Sequence, residues 1–245
     1  MKLLKLEFYK CRRRQILPLC AAVLGLELLW AASDLPDAAH LGWAMLFYDL
    51  AILDAILMPI CVAMIASRSC EPEHKGSTWK LLETMVSPGA LYFAKLAWGG
   101  LTLAGLLLLR SGLLLGLGTA YGLPGEPPYG RLALFALVTW AVSMMVYALQ
   151  QGLSLRFANQ AAALVCGVFG SFIGFLSLLF PPFLIRLVPW GYYGLLALSY
   201  MEWNPTTRMI RYHWQTPHPW DLLFLLLWAT AFLLIGRTLF LRKEV

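Results

Sequence analysis

The sequence predicts an all-α polytopic membrane protein with six transmembrane helices, and three observations carry that prediction. Hydrophobic residues make up 60% of the 245-residue chain and charged residues only 13%, against about a quarter in globular proteins. Apolar runs of about twenty residues, enough to cross roughly 30 Å of hydrocarbon, recur along the chain. Basic residues gather at alternate ends of these runs, which orients them. A single membrane domain over residues 1–245 accounts for the length and leaves little for a soluble catalytic domain. The net charge of +6 resides at span ends, so it is not a nucleic-acid signal.

In chain order, the basic and apolar segment from Lys2 to Arg14 comes first. Leu4, Leu6 and Phe8 alternate, so helical periodicity is weak. The residues support an interfacial segment anchored to the anionic headgroups of membrane lipids. The first span covers about 15–33. Its basic start and the small residues Ala31, Ala32 and Ser33 imitate a secretory signal. The apolar run from Ile16 to Ala32 is long for a signal core, however, and reads as a membrane helix. Further spans are expected at about 42–66, 91–121, 132–151, 160–180 and 220–241. The third is long enough to tilt or to begin at the interface.

Most of the 19 Lys and Arg residues lie before span one, between two and three, between four and five, and after six. Both termini are therefore expected in the cytoplasm. Between spans five and six, Phe183 to Met201 is apolar but interrupted by Arg186, Pro189 and Gly191. That pattern predicts a broken, partly re-entrant outer hairpin, followed by an external loop from Asn204 to Pro219. Trp190, Tyr192, Tyr193, Tyr200 and Trp203 suit an interfacial aromatic belt.

The polar stretch from Glu71 to Pro88 interrupts the apolar runs. A helix begun at Ser77, a plausible N-cap, would put Trp79, Leu81, Leu82, Met85 and Val86 on one side and Lys80, Glu83 and Thr84 on the other. Pro88-Gly89 reads as its stop. An apolar face placed in water beside a membrane either docks on a partner or lies on lipid headgroups, and the pattern fits both.

Ionisable residues within spans mark functional sites by default, because they are costly in hydrocarbon. Four are candidates: Glu27, Asp49, Asp54 and Arg110. At about 1.5 Å per residue, Glu27 lies about 12 Å and Asp49 about 10 Å below the outer boundary. Arg110 lies at comparable depth, so a pair or cluster with Glu27 or Asp49 is geometrically possible, either as a functional site or as a structural ion pair that fixes helix register. Asp54 lies nearer the midplane with no obvious partner in the chain; it is protonated, or faces a cavity or a dimer interface. Gly112–Gly116 and Gly170–Gly174 fit the GxxxG packing pattern. Gln150, Gln151 and Arg156 close span four. The five cysteines and four histidines show no metal spacing, and no GxxxxGK[ST] loop is present to cradle ATP phosphates.

Six spans, an amphipathic segment after span two and a broken hairpin before span six, together with Glu73-His74-Lys75-Gly76-Ser77-Thr78-Trp79-Lys80-Leu81-Leu82, Ser87-Pro88 and Ala94-Lys95, resemble the ABC-2 type transporter permeases. Within them the chain is most similar to lantibiotic and bacitracin immunity-type permease subunits, although its spans are Leu-, Ala- and Trp-rich where that group is often Ile- and Asn-rich. The resemblance implies that the 77–87 helix is a coupling helix, with Glu73, His74, Ser77, Thr78, Trp79, Leu81, Leu82, Met85 and Val86 serving ATPase coupling. It implies that Lys2 to Arg14 is an elbow helix on the inner leaflet of a bacterial plasma membrane. It also implies partners: two copies of an ABC ATPase that carries ATP-Mg, a second permease identical or related to this one, and a peptide or lipid-like substrate. This chain would hold no cofactor and would not itself be an enzyme. Two other classes compete: a non-transporting immunity or scaffold protein that sequesters a toxin, and an intramembrane enzyme.

Overall fold

The structure is a computed structural model that describes residues 2–12, 15–76 and 85–241. Helix α1 (Lys2–Arg12) leads into α2 (Ile16–Ala38) through Gln15, whose φ of 52° turns the chain between them. A 3₁₀ turn (Ala39–Leu41) and Gly42, at φ 81°, connect α2 to α3 (Trp43–Lys75). Then follow α4 (Pro88–Ala120), α5 (Tyr129–Arg156) and α6 (Gln160–Ser177). After the short helices α7 (Pro182–Ile185) and α8 (Tyr192–Leu195) come the strands β1 (Ser199–Asn204) and β2 (Met209–Trp214), and last α9 (Pro219–Leu241). Helices α2, α3, α4, α5, α6 and α9 are long and apolar enough to cross a membrane. The six expected spans are all present, most with ends shifted by five residues or fewer, while α3 runs nine residues past its expected end at 66. Pro88 occupies the first turn of α4, where its missing N–H costs nothing.

Helix α3 is the central element. In its most apolar stretch 67% of residues are buried, against 11% in α9 at the periphery. It packs against α2, α5 and α6. Between such helices lipid offers no hydrophobic driving force, so close packing and buried hydrogen bonds must hold them together. Small residues allow the approach: a Cβ on Gly152 of α5 would sit 3.1 Å from the Cα of Gly236 on α9. Ser171 of α6 donates to the carbonyl oxygen of Ile56 on α3 at 2.5 Å. The core runs the length of the bundle, from Cys70, Tyr92 and Phe240 at the end that carries both termini to Leu35, Phe47 and Leu123 at the other.

Two expectations are corrected and one is sharpened. The weakly periodic N-terminal segment is a regular helix, as the resemblance implied, and its inward face is carried by Leu4, Glu7 and Cys11. An acid on the buried face hid the period. The expected loop from Asn204 contains β2, paired antiparallel with β1 from Ser199↔Trp214 to Asn204↔Met209. Of the expected aromatic belt only Tyr200 and Trp203 are exposed; Tyr192 and Tyr193 are buried. The Trp190 ring fills the space beside Gly170, where a Cβ would meet it at 2.3 Å. The Gly170–Gly174 pair thus receives an aromatic ring of the broken hairpin, whereas Gly112 and Gly116 face open space.

Candidate functional site

At the end of the bundle that carries the termini, α3 finishes and α4 begins beside each other, with residues 76–87 between them. Two buried side chains mark these stems. Glu73 occupies the last turns of α3 and Lys95 the second turn of α4; they are 1% and 0% exposed. Lys95 Nζ donates to Glu73 Oε1 at 2.9 Å, to Glu7 Oε2 of α1 at 3.0 Å, and to the Ser69 carbonyl oxygen at 2.7 Å. Lys10 of α1 adds contacts to Glu73 at 2.9 Å and to Glu7 at 3.3 Å. Two carboxylates therefore face two ammonium groups in a charge-balanced set that ties three helices together.

Charges taken out of water at this depth are tolerated only when paired and hydrogen-bonded. Cys11 lies against the same set. Burial, with Glu7 beside it, pushes its thiol up to about 12, which keeps it protonated and unreactive at neutral pH. His74 Nε2 lies 2.9 Å from the Ser154 carbonyl oxygen, linking α3 to α5.

These placements bear on the residues that the resemblance assigns to ATPase coupling. Glu73 and His74 turn into the membrane domain and brace the stem of the segment. Ser77, Thr78, Trp79, Leu81 and Leu82 lie outside the described residues. Met85 is 73% exposed and Val86 half-buried, just ahead of α4. The sequence reading missed Glu7 and Lys10 as partners of this motif. Its signal was there: Glu7 is the only acid before Glu27 in an otherwise basic stretch.

Deeper in the bundle, Arg110 of α4 reaches between α2 and α3. Its Nη1 donates to Glu27 Oε1 at 2.8 Å and to Asp54 Oδ1 at 2.5 Å. All three side chains are at most 1% exposed. Thr139 of α5 donates to Asp54 Oδ2 at 3.4 Å, and the guanidinium stands 5.0 Å over the Phe135 ring. Glu27 thus pairs with Arg110, the partner that its depth allowed. Asp54 and Asp49 exchange the roles expected of them: Asp54 is the second partner, and Asp49 is not part of the set. Five residues along a helix turn about 140° and rise about 7.5 Å, so the two acids of α3 leave on different faces. Asp49 sits instead near the β-hairpin, where burial, with Asp49 adding to it, pushes the Tyr212 phenol above its ordinary value.

Between α1–α2 and α4 lies an open, mostly apolar groove of about 870 Å³, lined by Tyr9, Leu17, Trp98, Leu101, Gly105 and Leu109 among others, and by Lys5. Among the described residues no three or more His, Cys, Asp or Glu side chains are grouped to hold a metal ion.

A family model described as ABC-2 family transporter protein matches residues 3–175. The match begins in α1 and runs through all but the end of α6, so it covers the lysine–glutamate set, the arginine triad and the 76–87 segment. A search of the curated proteins gives no match. The match extends over more than half of the chain, and the six apolar helices agree with it. The chain therefore belongs to the ABC-2 transporter family, as a multi-pass membrane permease whose family works with an ABC ATPase.

Proposed function

We propose that this permease is the membrane-spanning half of an ATP-driven exporter that expels an amphipathic antimicrobial peptide, lantibiotic-like, or a similar amphiphile. A separate ATPase, in two copies, binds ATP-Mg and hydrolyses it. A second permease, identical or related, completes the membrane unit. Both termini and the 76–87 segment face the cytoplasm, in keeping with the basic residues at that end.

The observation that carries this reading is the bracing of the stems. Glu73 and Lys95 meet across the base of the 76–87 segment at 2.9 Å and are fastened jointly to α1. A connector that only had to turn the chain would need no four-residue ion set, three of its members buried, beneath it. Fixed stems let a push on the segment reach the helices rather than dissipate. The apolar stripe of Trp79, Leu82 and Val86 supplies the contact, and Leu81 and Met85 broaden it. The groove, mostly apolar but lined also by the cation of Lys5, supports an amphiphile as the exported compound.

The test is to co-purify variants with the ATPase and measure substrate-stimulated hydrolysis. A buried aromatic anchor commonly contributes about 2 kcal/mol or more to an interface. Trp79→Ala and Leu82→Glu are therefore expected to weaken association or to uncouple hydrolysis, and Lys80→Ala to do less. Assembly and coupling like the parent chain in both variants would show that the segment only lies on lipid.

A further inference from the structure

The arginine triad differs from the lysine–glutamate set in its charge count. Glu7 and Glu73 face Lys10 and Lys95, two against two. Glu27 and Asp54 face Arg110 alone, and both use the same nitrogen, Nη1. With both acids ionised the triad would carry one negative charge in the centre of the bundle. Among the described residues no second cation pairs with either acid. Thr139 of α5 is a neutral hydroxyl, and Phe135 offers a ring face to the guanidinium. Further titratable groups close to the triad are the thiol of Cys61 on α3, itself beside Cys20 on α2, and the phenol of Tyr193 on α8. None of these becomes a cation. An unbalanced charge in such an interior is neutralised rather than kept.

Geometry indicates how. The carboxyl groups of Glu27 and Asp54 meet the same nitrogen, Arg110 Nη1, at 2.8 and 2.5 Å, which brings them close to each other. Two carboxylates repel at that range, and a single proton between them turns the repulsion into a charge-assisted O–H···O bond.

We propose that Glu27 and Asp54 together bind one proton at neutral pH, making the triad with Arg110 a neutral proton site in the membrane core. The proton belongs to the pair rather than to either acid. Arg110 sets the count, since one guanidinium balances one carboxylate. The assignment does not depend on what the permease transports.

The test is infrared spectroscopy of the full chain in lipid nanodiscs at pH 7, in sodium and in choline buffer. The parent chain is expected to show a protonated-carboxyl C=O stretch that shifts in D₂O and is equal in both buffers. Glu27→Gln and Asp54→Asn should each abolish it, and Asp49→Asn should leave it in place. Arg110→Gln should about double it, because both acids must then be neutral. Glu27→Gln leaves one carboxylate facing one guanidinium and keeps the shape, so it is expected to fold, and melting followed by circular dichroism checks this. The proposal is overturned if the parent chain shows no such band. It is equally overturned if the band survives both carboxamide variants, or if sodium suppresses it, which would put a metal cation in the proton's place.

Discussion

Replacing Lys95 by alanine tests how the permease is fastened at the base of the 76–87 segment. The ammonium donates to Glu7, Glu73 and the Ser69 carbonyl oxygen at 3.0, 2.9 and 2.7 Å and is fully buried. Its removal leaves two buried carboxylates facing Lys10 alone. Breaking a buried ion pair by deleting one partner costs about 3–5 kcal/mol, mainly through the charge left behind. Lys10 still reaches both acids, at 3.3 and 2.9 Å, and its side chain is 22% exposed. The cost should therefore fall at the low end, about 3 kcal/mol. Lys10→Ala, at the wetter edge of the set, should cost about 1 kcal/mol. Adding Glu7→Ala to Lys95→Ala restores the balance, with Glu73 facing Lys10, so the double variant should recover about 2 kcal/mol of the expected sum. The assay is reversible unfolding by SDS titration from mixed micelles, followed by helical circular dichroism, for the parent chain, both single variants and the double variant. Equal losses for Lys95→Ala and Lys10→Ala, with strictly additive effects in the cycle, would refute the reasoning.

Two further outcomes follow from the fold. Gly170→Leu should destabilise strongly, because a Cβ there already meets the Trp190 ring at 2.3 Å, whereas Gly112→Leu, facing open space, should be nearly neutral; the same SDS titration measures both, and Trp190→Ala should partly rescue the first. For orientation, a cysteine at Gln215 should react with an impermeant thiol reagent in intact cells and one at Gly76 should not, against a low background because the native cysteines are buried or half-buried; labelling at Gly76 from outside would reverse the assigned orientation.

How much of this was legible in the sequence depended on whether the signal was local. Span length is a local property, and all six membrane helices fall where the apolar runs are. The Glu27–Arg110 pair was legible from depth alone, because two charges at one level in hydrocarbon seek each other. Asp54 was assigned no partner because depth along a helix was weighed and azimuth was not. Arg110 has the reach to span the offset, while Asp49 points elsewhere. Helix α1 was obscured for a related reason. Its buried face contains Glu7, which a hydrophobic period scores as surface, and only the non-local Lys95 makes that burial affordable. Tyr192 and Tyr193 were read as interfacial from composition, but Gly170 and Gly174 on α6 open a slot that draws the hairpin inward. The β-hairpin rests on pairing between exposed residues, which leaves little hydrophobic alternation to read.

The fastening of α1 has a mechanical consequence. Glu7 and Lys10 grip both stems of the 76–87 segment, so α1, the end of α3 and the start of α4 shift as one lever arm. Its pivot is Gln15, where a left-handed backbone turn separates α1 from α2. A load placed on the segment therefore tilts the N-terminal helix about that pivot instead of bending a loop. The Lys95 contacts that carry most of this load are shut away from solvent, where ions screen them little, so raising the ionic strength should loosen only the Lys10 edge.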